Sequence, residues 1–127
     1  MTYHYDPKNI FARILRGEIP NKTVLETPHS LAFHDINPAA PVHVLVIPKG
    51  AYVTFDHFAA EASAEELVDF HRTCAQVCAM VGVAPGDGST GKGYRAITNA
   101  GAHGMQEVPH YHLHILGGRA MGPLVLK

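Results

Sequence analysis

His110-Tyr111-His112-Leu113-His114 decides how this chain reads. Three histidines alternate with two apolar residues, and Ile115-Leu116 then run into Gly117-Gly118. A strand turns successive side chains to opposite faces. It would set His110, His112 and His114 on one face and Tyr111, Leu113 and Ile115 on the other. A helix would rotate the imidazoles by about 200° at each step. The stretch therefore predicts a strand over residues 108–116, with an apolar back on a core and an imidazole front on a site.

The rest of the chain supports one domain, residues 1–127. At 127 residues it is long enough to bury a core, and it is 46% hydrophobic and 17% charged with no low-complexity tract. A formal net charge of -1 provides no basic footprint for nucleic acid. Apolar runs such as Val44-Leu45-Val46-Ile47 are too short to span a membrane. Residues 1–6 lack the apolar region of a signal peptide, so a cytoplasmic protein is expected. Cys74 and Cys78 suit a reducing compartment rather than a disulfide framework. Histidine is the unusual entry in the composition: there are 10, as many as Lys and Arg together, which points to imidazole chemistry near neutral pH.

Asp6-Pro7 reads as the N-cap and first position of a short helix that carries Ile10, Phe11, Ile14 and Leu15, with Gly17 as its stop. Residues 22–26 and 31–35 read as strands joined by a hairpin turn at 27–30. Pro38 and Pro41 bar a central strand between them. Residues 43–47 form the next strand. A long helix starts at the capping box Ser63-Ala64-Glu65-Glu66 and carries Leu67, Phe70, Cys74, Val77, Cys78 and Val81 on one stripe. Strands at 94–98 and 108–116 close the domain, with a loop at 99–106 between them and a tail at 119–127. The order predicts an α+β fold: a mainly antiparallel five-stranded sheet, one short and one long helix, and the helices on one face.

The histidine row admits two chemistries. Neighbouring members of the row lie about 6.6 Å apart along a strand and the outer pair about 13 Å, whereas metal–nitrogen bonds are about 2.0–2.1 Å. Two of the three can share one metal, but a third in line hardly can. Zinc would need another ligand, such as His43, with Glu107 the nearest carboxylate. A row of imidazoles better matches an extended polar object such as a phosphate and its leaving group. His112, with an ordinary pKa of about 6.5, can attack phosphorus through one ring nitrogen while the other donates to a fixed acceptor. His110 and His114 can donate to phosphoryl oxygens or to a leaving group.

Other motifs carry less. Gly86-Asp87-Gly88-Ser89-Thr90-Gly91 fits G-x-G-x-x-G, but a helix precedes it and a strand follows, the reverse of a phosphate-binding turn, so it reads as a surface connection. The 99–106 loop leads into the histidines, and Gly101 and Gly104 would let backbone N–H groups approach an anion. His71, Cys74 and Cys78 share a helix flank, but the cysteines sit in the apolar stripe and read as small hydrophobes. His4, His29 and His57 read as surface residues. Ile10, Phe11, Ile14 and Phe33 read as core or as the wall of a slot for a flat ring. Asp35 can accept from ribose hydroxyls.

With these residues in view the chain resembles the histidine triad (HIT) superfamily, in its Hint-like nucleoside phosphoramidase branch and its bacterial members above all. His110–Leu116 carries the family motif, His-x-His-x-His followed by apolar residues. Further likeness runs, in order, through Asn9-Ile10-Phe11, Arg16-Gly17-Glu18-Ile19-Pro20, Ala32-Phe33-His34-Asp35-Ile36, residues 41–49, Gly93-Tyr94-Arg95 and Leu116-Gly117-Gly118-Arg119, so that it covers residues 9–122. The resemblance implies an enzyme that cleaves the P–N bond of purine nucleoside 5′-phosphoramidates without metal or other cofactor, and a homodimer whose two sheets join. It implies that His112 is the nucleophile, with His114 beside the phosphate and leaving group and His43 and His110 as an orienting, proton-handling network. Asn99, Gln106, Glu107 and Val108 would contact phosphate. Ile10, Phe11, Ile14, Phe33, His34, Ile36 and Leu45 would hold the purine, and Asp35 the ribose. Two departures stand out. Many members have Gly at position 105 and Ser at 107, where this chain has Met105 and Glu107, which implies an altered leaving-group preference. The tail also lacks the Trp-Pro-Pro-Gly ending of the animal branch. The same resemblance allows a dinucleoside polyphosphate hydrolase or a nucleotide-binding scaffold as alternatives.

Overall fold

The computed structural model describes residues 2–89 and 91–125. Thr90 of the Gly-rich stretch and the last two residues of the tail lie outside that set. The strands are β1 (Thr23–Glu26), β2 (Ser30–His34), β3 (Val42–Pro48), β4 (Tyr94–Ile97) and β5 (Leu113–Gly117), and the helices are α1 (Ile10–Leu15), α2 (Phe55–Glu61) and α3 (Ala64–Met80). The strands form one sheet in the order β1-β2-β3-β5-β4, and every neighbouring pair is antiparallel. This is the expected α+β class with five antiparallel strands, but with three helices rather than two.

β3 sits in the middle and explains the layers. Its residues Val44, Leu45, Val46 and Ile47 are all buried, the mark of a strand covered on both faces. Val44 and Val46 join Ala32, Ile115, Phe58, Phe70 and Val77 in a core beneath α2 and α3. Leu45 and Ile47 join Leu31, Phe33, Phe11 and Ile14 in a second core beneath α1. The helices therefore cover both faces of the sheet, not one as expected, because β3 alternates apolar residues to both sides and each side must be buried.

α3 keeps its reading. Ser63 and Glu66 form the capping box, and Phe70, Val77 and Cys78 are buried along the stripe. Burying Phe70 and Phe58 contributes about 2–3 kcal/mol each. Asp69 ties the helix to the β1–β2 turn by accepting from Thr27 Oγ1 at 2.7 Å and Ser30 Oγ at 2.8 Å. Burial pushes the Cys74 thiol up to about 12, as suits an inert packing residue, and His71 turns back to the Leu67 carbonyl at 2.7 Å.

Three other readings are corrected. α1 is capped by Asn9, whose Oδ1 accepts from Ala12 N, rather than by Asp6. Asp6 instead takes Lys8 N in an Asx turn ahead of the cap, a local bond that competes with capping. α2 was not anticipated. Thr54 caps it and Phe58 anchors it against Phe70 and Tyr111. It also buries His57, which accepts from Val53 N at 3.0 Å and is covered by Tyr3, so His57 is not a surface residue. Finally, β5 begins at Leu113 and not at Val108. Pro109 has no N–H to give a ladder, and Tyr111 N is taken by Tyr52 O at 2.7 Å. The alternation nevertheless persists through the irregular stretch, since Tyr111, Leu113 and Ile115 all face the α3 core.

Candidate active site

The site lies on the α1 face of the sheet. In β3, His43 and Leu45 alternate with core-facing Val44 and Val46. In β5, His114 pairs with Leu45 on one side and with Ile97 of β4 on the other. His112 stands just before β5, 94% removed from solvent. Together these residues form the floor of a cavity of about 520 Å³.

One wall of the cavity is apolar, made by Ile10, Phe11 and Ile14 of α1 with Phe33 and Leu45 of the sheet. His34 at the end of β2 and Asp35 and Ile36 just after it form a rim, and Ile36 is 83% exposed there. Asn99, Met105, Glu107 and Val108 close the end nearest His112 and His114. An apolar slot leading to an imidazole floor suits a flat ring joined to a phosphate-sized polar group. A second hollow of similar size, lined by Val42, Val81, Tyr94, Arg95 and Arg119, holds no histidine or carboxylate and offers no comparable chemistry.

Hydrogen bonds assign the tautomers. His112 Nδ1 lies 2.7 Å from the His110 carbonyl, which can only accept, so Nδ1 carries the proton and Nε2 keeps its lone pair. Phe11 meets the His112 ring edge-on, 5.0 Å between centroids, and holds its plane. Ala39 N donates to His43 Nδ1 at 3.0 Å, so the proton of His43 is on Nε2. That proton points to His114 Nδ1, 2.9 Å away, which leaves His114 with its own proton on Nε2. The two Nε2 nitrogens are thus unlike: a bare lone pair on His112 and a donor on His114, with ring centroids 5.0 Å apart. Burial is the main cause that lowers the pKa of all three rings. It takes His114 to about 4 and keeps His43 and His112 below 6.5, so each is neutral at pH 7.

Asp35, His43 and His114 place one ligand atom each within 4.8 Å of one another, and Asp35 Oδ2 lies 3.5 Å from His43 Nε2. The donor chemistry does not fit a cation. A metal on His43 Nε2 would displace the proton there while Ala39 N–H occupies Nδ1, and a ring with neither proton is an imidazolate. The three atoms gather because His43 Nε2–H donates to His114 Nδ1 and the Asp35 carboxylate stands beside that donor.

Two of the residues named from the sequence do not line the cavity. His110 is fully buried behind His112, with Nε2 2.8 Å from Pro48 O and Nδ1 2.6 Å from Tyr5 Oη. Gln106 spends its side chain on backbone: Oε1 accepts from Gly101 N, and Nε2 donates to Val53 O and Val108 O. Gly101 N–H is therefore already used and is not available to an anion. Gly104 packs against Ala100, where a Cβ would meet backbone at 2.7 Å. Met105 follows with φ 58, the one non-glycine residue in the left-handed region among the described residues, and its side chain is 80% exposed at the rim. Sequence reasoning did not place Tyr5, Ile19, Pro20, Asn21 or Asn37 near the site, and nothing in their local pattern marks them.

Comparison with known proteins finds relatives over most of the chain. A family model described as the HIT domain matches residues 16–121. An uncharacterized HIT-like protein of Azospirillum brasilense is 54% identical over 127 residues, all of this chain and 99% of that protein. The purine nucleoside phosphoramidase of Escherichia coli K12 is 38% identical over 118 residues, 93% of each chain. Among solved structures, a HIT family hydrolase from Clostridium thermocellum superposes with a TM-score of 0.80 at 39% identity, covering 94% of this chain and 97% of that one.

Proposed function

The chain belongs to the HIT domain family, and from that premise we propose that it hydrolyses the P–N bond of purine nucleoside 5′-phosphoramidates through a nucleotidyl-His112 intermediate. The observation that carries this reading is the pairing of a bare His112 Nε2 with a protonated His114 Nε2 on the floor of one cavity. The kinship with a purine nucleoside phosphoramidase supports it.

The purine enters between α1 and the rim, Asp35 takes the ribose hydroxyls, and the phosphorus lies over His112. Nε2 forms a bond to phosphorus as the P–N bond breaks and its electron pair passes to the amine nitrogen. The substrate nitrogen carries its proton from solvent and leaves as the free amine, while His114 Nε2–H donates a hydrogen bond to a phosphoryl oxygen. The nucleotidyl-imidazole is then a cation whose Nδ1–H stays on the His110 carbonyl. Water attacks phosphorus, the N–P bond breaks with its electron pair returning to His112 Nε2, and the proton of the water passes to solvent. No step needs a metal. Two copies joined through the free edge at β4, where Tyr94 is exposed, form the working dimer, in the cytoplasm.

Glu107 selects the leaving group. Its side chain lines the cavity, and it has no hydrogen-bond or ion-pair partner among the described residues. A carboxylate there repels an anionic polyphosphate and tolerates an amine. An adenosine phosphoramidate should therefore exceed diadenosine tetraphosphate in kcat/KM by about 100-fold or more, with nucleotidyl-His112 trapped on rapid quench. Equal turnover of the two, or an adduct elsewhere, would overturn the reading. Glu107→Gln should raise kcat/KM for the tetraphosphate by about fivefold, the rate equivalent of about 1 kcal/mol of repulsion, and leave a neutral-amine substrate within about twofold. An unchanged ratio would remove Glu107 from selection.

A further inference from the structure

Tyr5 lies outside the matched HIT domain and precedes every regular element of the chain. The N-terminal segment carrying it is held by two tyrosines with different targets. Tyr3 stacks on His57 at 4.1 Å and 5° between ring planes and gives its hydroxyl to Asp56 Oδ2 at 2.8 Å, both on α2. Tyr5 reaches the site: its Oη is 2.6 Å from His110 Nδ1, and its ring meets the His110 ring edge-on at 5.5 Å.

His110 Nε2 must carry the proton, because Pro48 O at 2.8 Å can only accept. Nδ1 is then a lone pair on a ring with 0% exposure, and Tyr5 O–H is its donor. The backbone around His110 has no strand partner, since β5 starts at Leu113. The ring, held at both nitrogens, substitutes for the missing ladder. What it positions is the His110 carbonyl, the acceptor for His112 Nδ1–H at 2.7 Å.

We propose that Tyr5 is a positioning residue for the nucleophile: by fixing His110 through its Nδ1, it holds the carbonyl that orients His112 and keeps its Nε2 bare toward the cavity. The assignment rests on His112 as the nucleophile of the proposed phosphoramidase, and its test does not depend on turnover alone. Diethyl pyrocarbonate acylates bare imidazole nitrogen, and the rate at His112 can be followed by peptide mass. Tyr5→Phe should slow carbethoxylation of His112 about fivefold, the rate equivalent of one neutral hydrogen bond. It should slow single-turnover formation of nucleotidyl-His112 by the same factor and leave the Kd for AMP unchanged. Tyr3→Phe removes a hydrogen bond from the same segment without touching His110 and should leave both rates at the wild-type value. Wild-type carbethoxylation in Tyr5→Phe, or an equal loss in Tyr3→Phe, would overturn the assignment. If Tyr5→Phe alone slows carbethoxylation while the wild type turns over no phosphoramidate, the positioning role stands and the substrate reading falls.

Discussion

His112→Asn is expected to lower kcat for an adenosine phosphoramidate by about a thousandfold or more, while the Kd for AMP changes by less than about threefold. The choice of Asn separates two roles of one ring. The Asn amide can donate to the His110 carbonyl where Nδ1–H now does, so the local backbone and the packing against Phe11 keep a partner. What is lost is Nε2, the lone pair proposed to form the bond to phosphorus. If His112 only oriented a water, the covalent route would be absent from the start and the variant would lose far less. The apolar wall of Phe11, Ile14, Phe33 and Leu45 is untouched by the change, so a purine bound as proposed would keep its contacts. Steady-state rates for wild type and variant, with AMP binding by calorimetry, decide the matter. A variant within tenfold of wild type would mean that another group attacks.

The sequence shows the alternation of the histidine stretch because alternation survives even where the ladder fails: Tyr111 packs with Leu113 and Ile115 although β5 has not begun. It shows the long helix because Ser63 and Glu66 cap it locally and its apolar stripe has helical period. α2 is hidden because seven residues whose large apolar positions are only Phe55 and Phe58 make no period, and its stability comes from Phe58 entering a core assembled by distant elements. The pairing of unlike nitrogens was also out of reach. It depends on Ala39 N–H meeting His43 Nδ1 across a turn and on His43 meeting His114 across two strands. A spacing rule sees three similar imidazoles, whereas backbone donors and acceptors at defined distances make them different. Tyr5 is the extreme case, since it acts at a partner 105 residues away.

Acid should destabilise this protein before its carboxylates titrate. Burial lowers His110 and His114 to about 4 and lowers His112 and His43 from 6.5. A ring whose pKa is lower in the folded state binds fewer protons there than in the unfolded chain, so the stability it contributes is complete above about 6.5 and is lost as pH falls toward 4. For His110 alone, fully buried, the loss at pH 5 is about 2 kcal/mol. Geometry adds to burial, because a proton on His110 Nδ1 must turn the Tyr5 hydroxyl from donor to acceptor and one on His43 Nδ1 must displace Ala39 N–H. The carboxylates run in the other window: Glu18, Asp56, Glu66, Asp69 and Asp87 are held below their ordinary values of 4.5 and 3.8, so their contribution is intact at pH 5. Thermal unfolding should therefore show Tm about 5–10 °C lower at pH 5 than at pH 7.5 at constant ionic strength. A Tm that holds to pH 5 and falls only below pH 4 would place the acid sensitivity on the carboxylates and mean that the histidines accept protons without disturbing the fold. A nucleotide monophosphate, bound in the cavity as proposed, should narrow the gap by stabilising the folded state and by setting its anion beside His114, where a proton is then easier to hold.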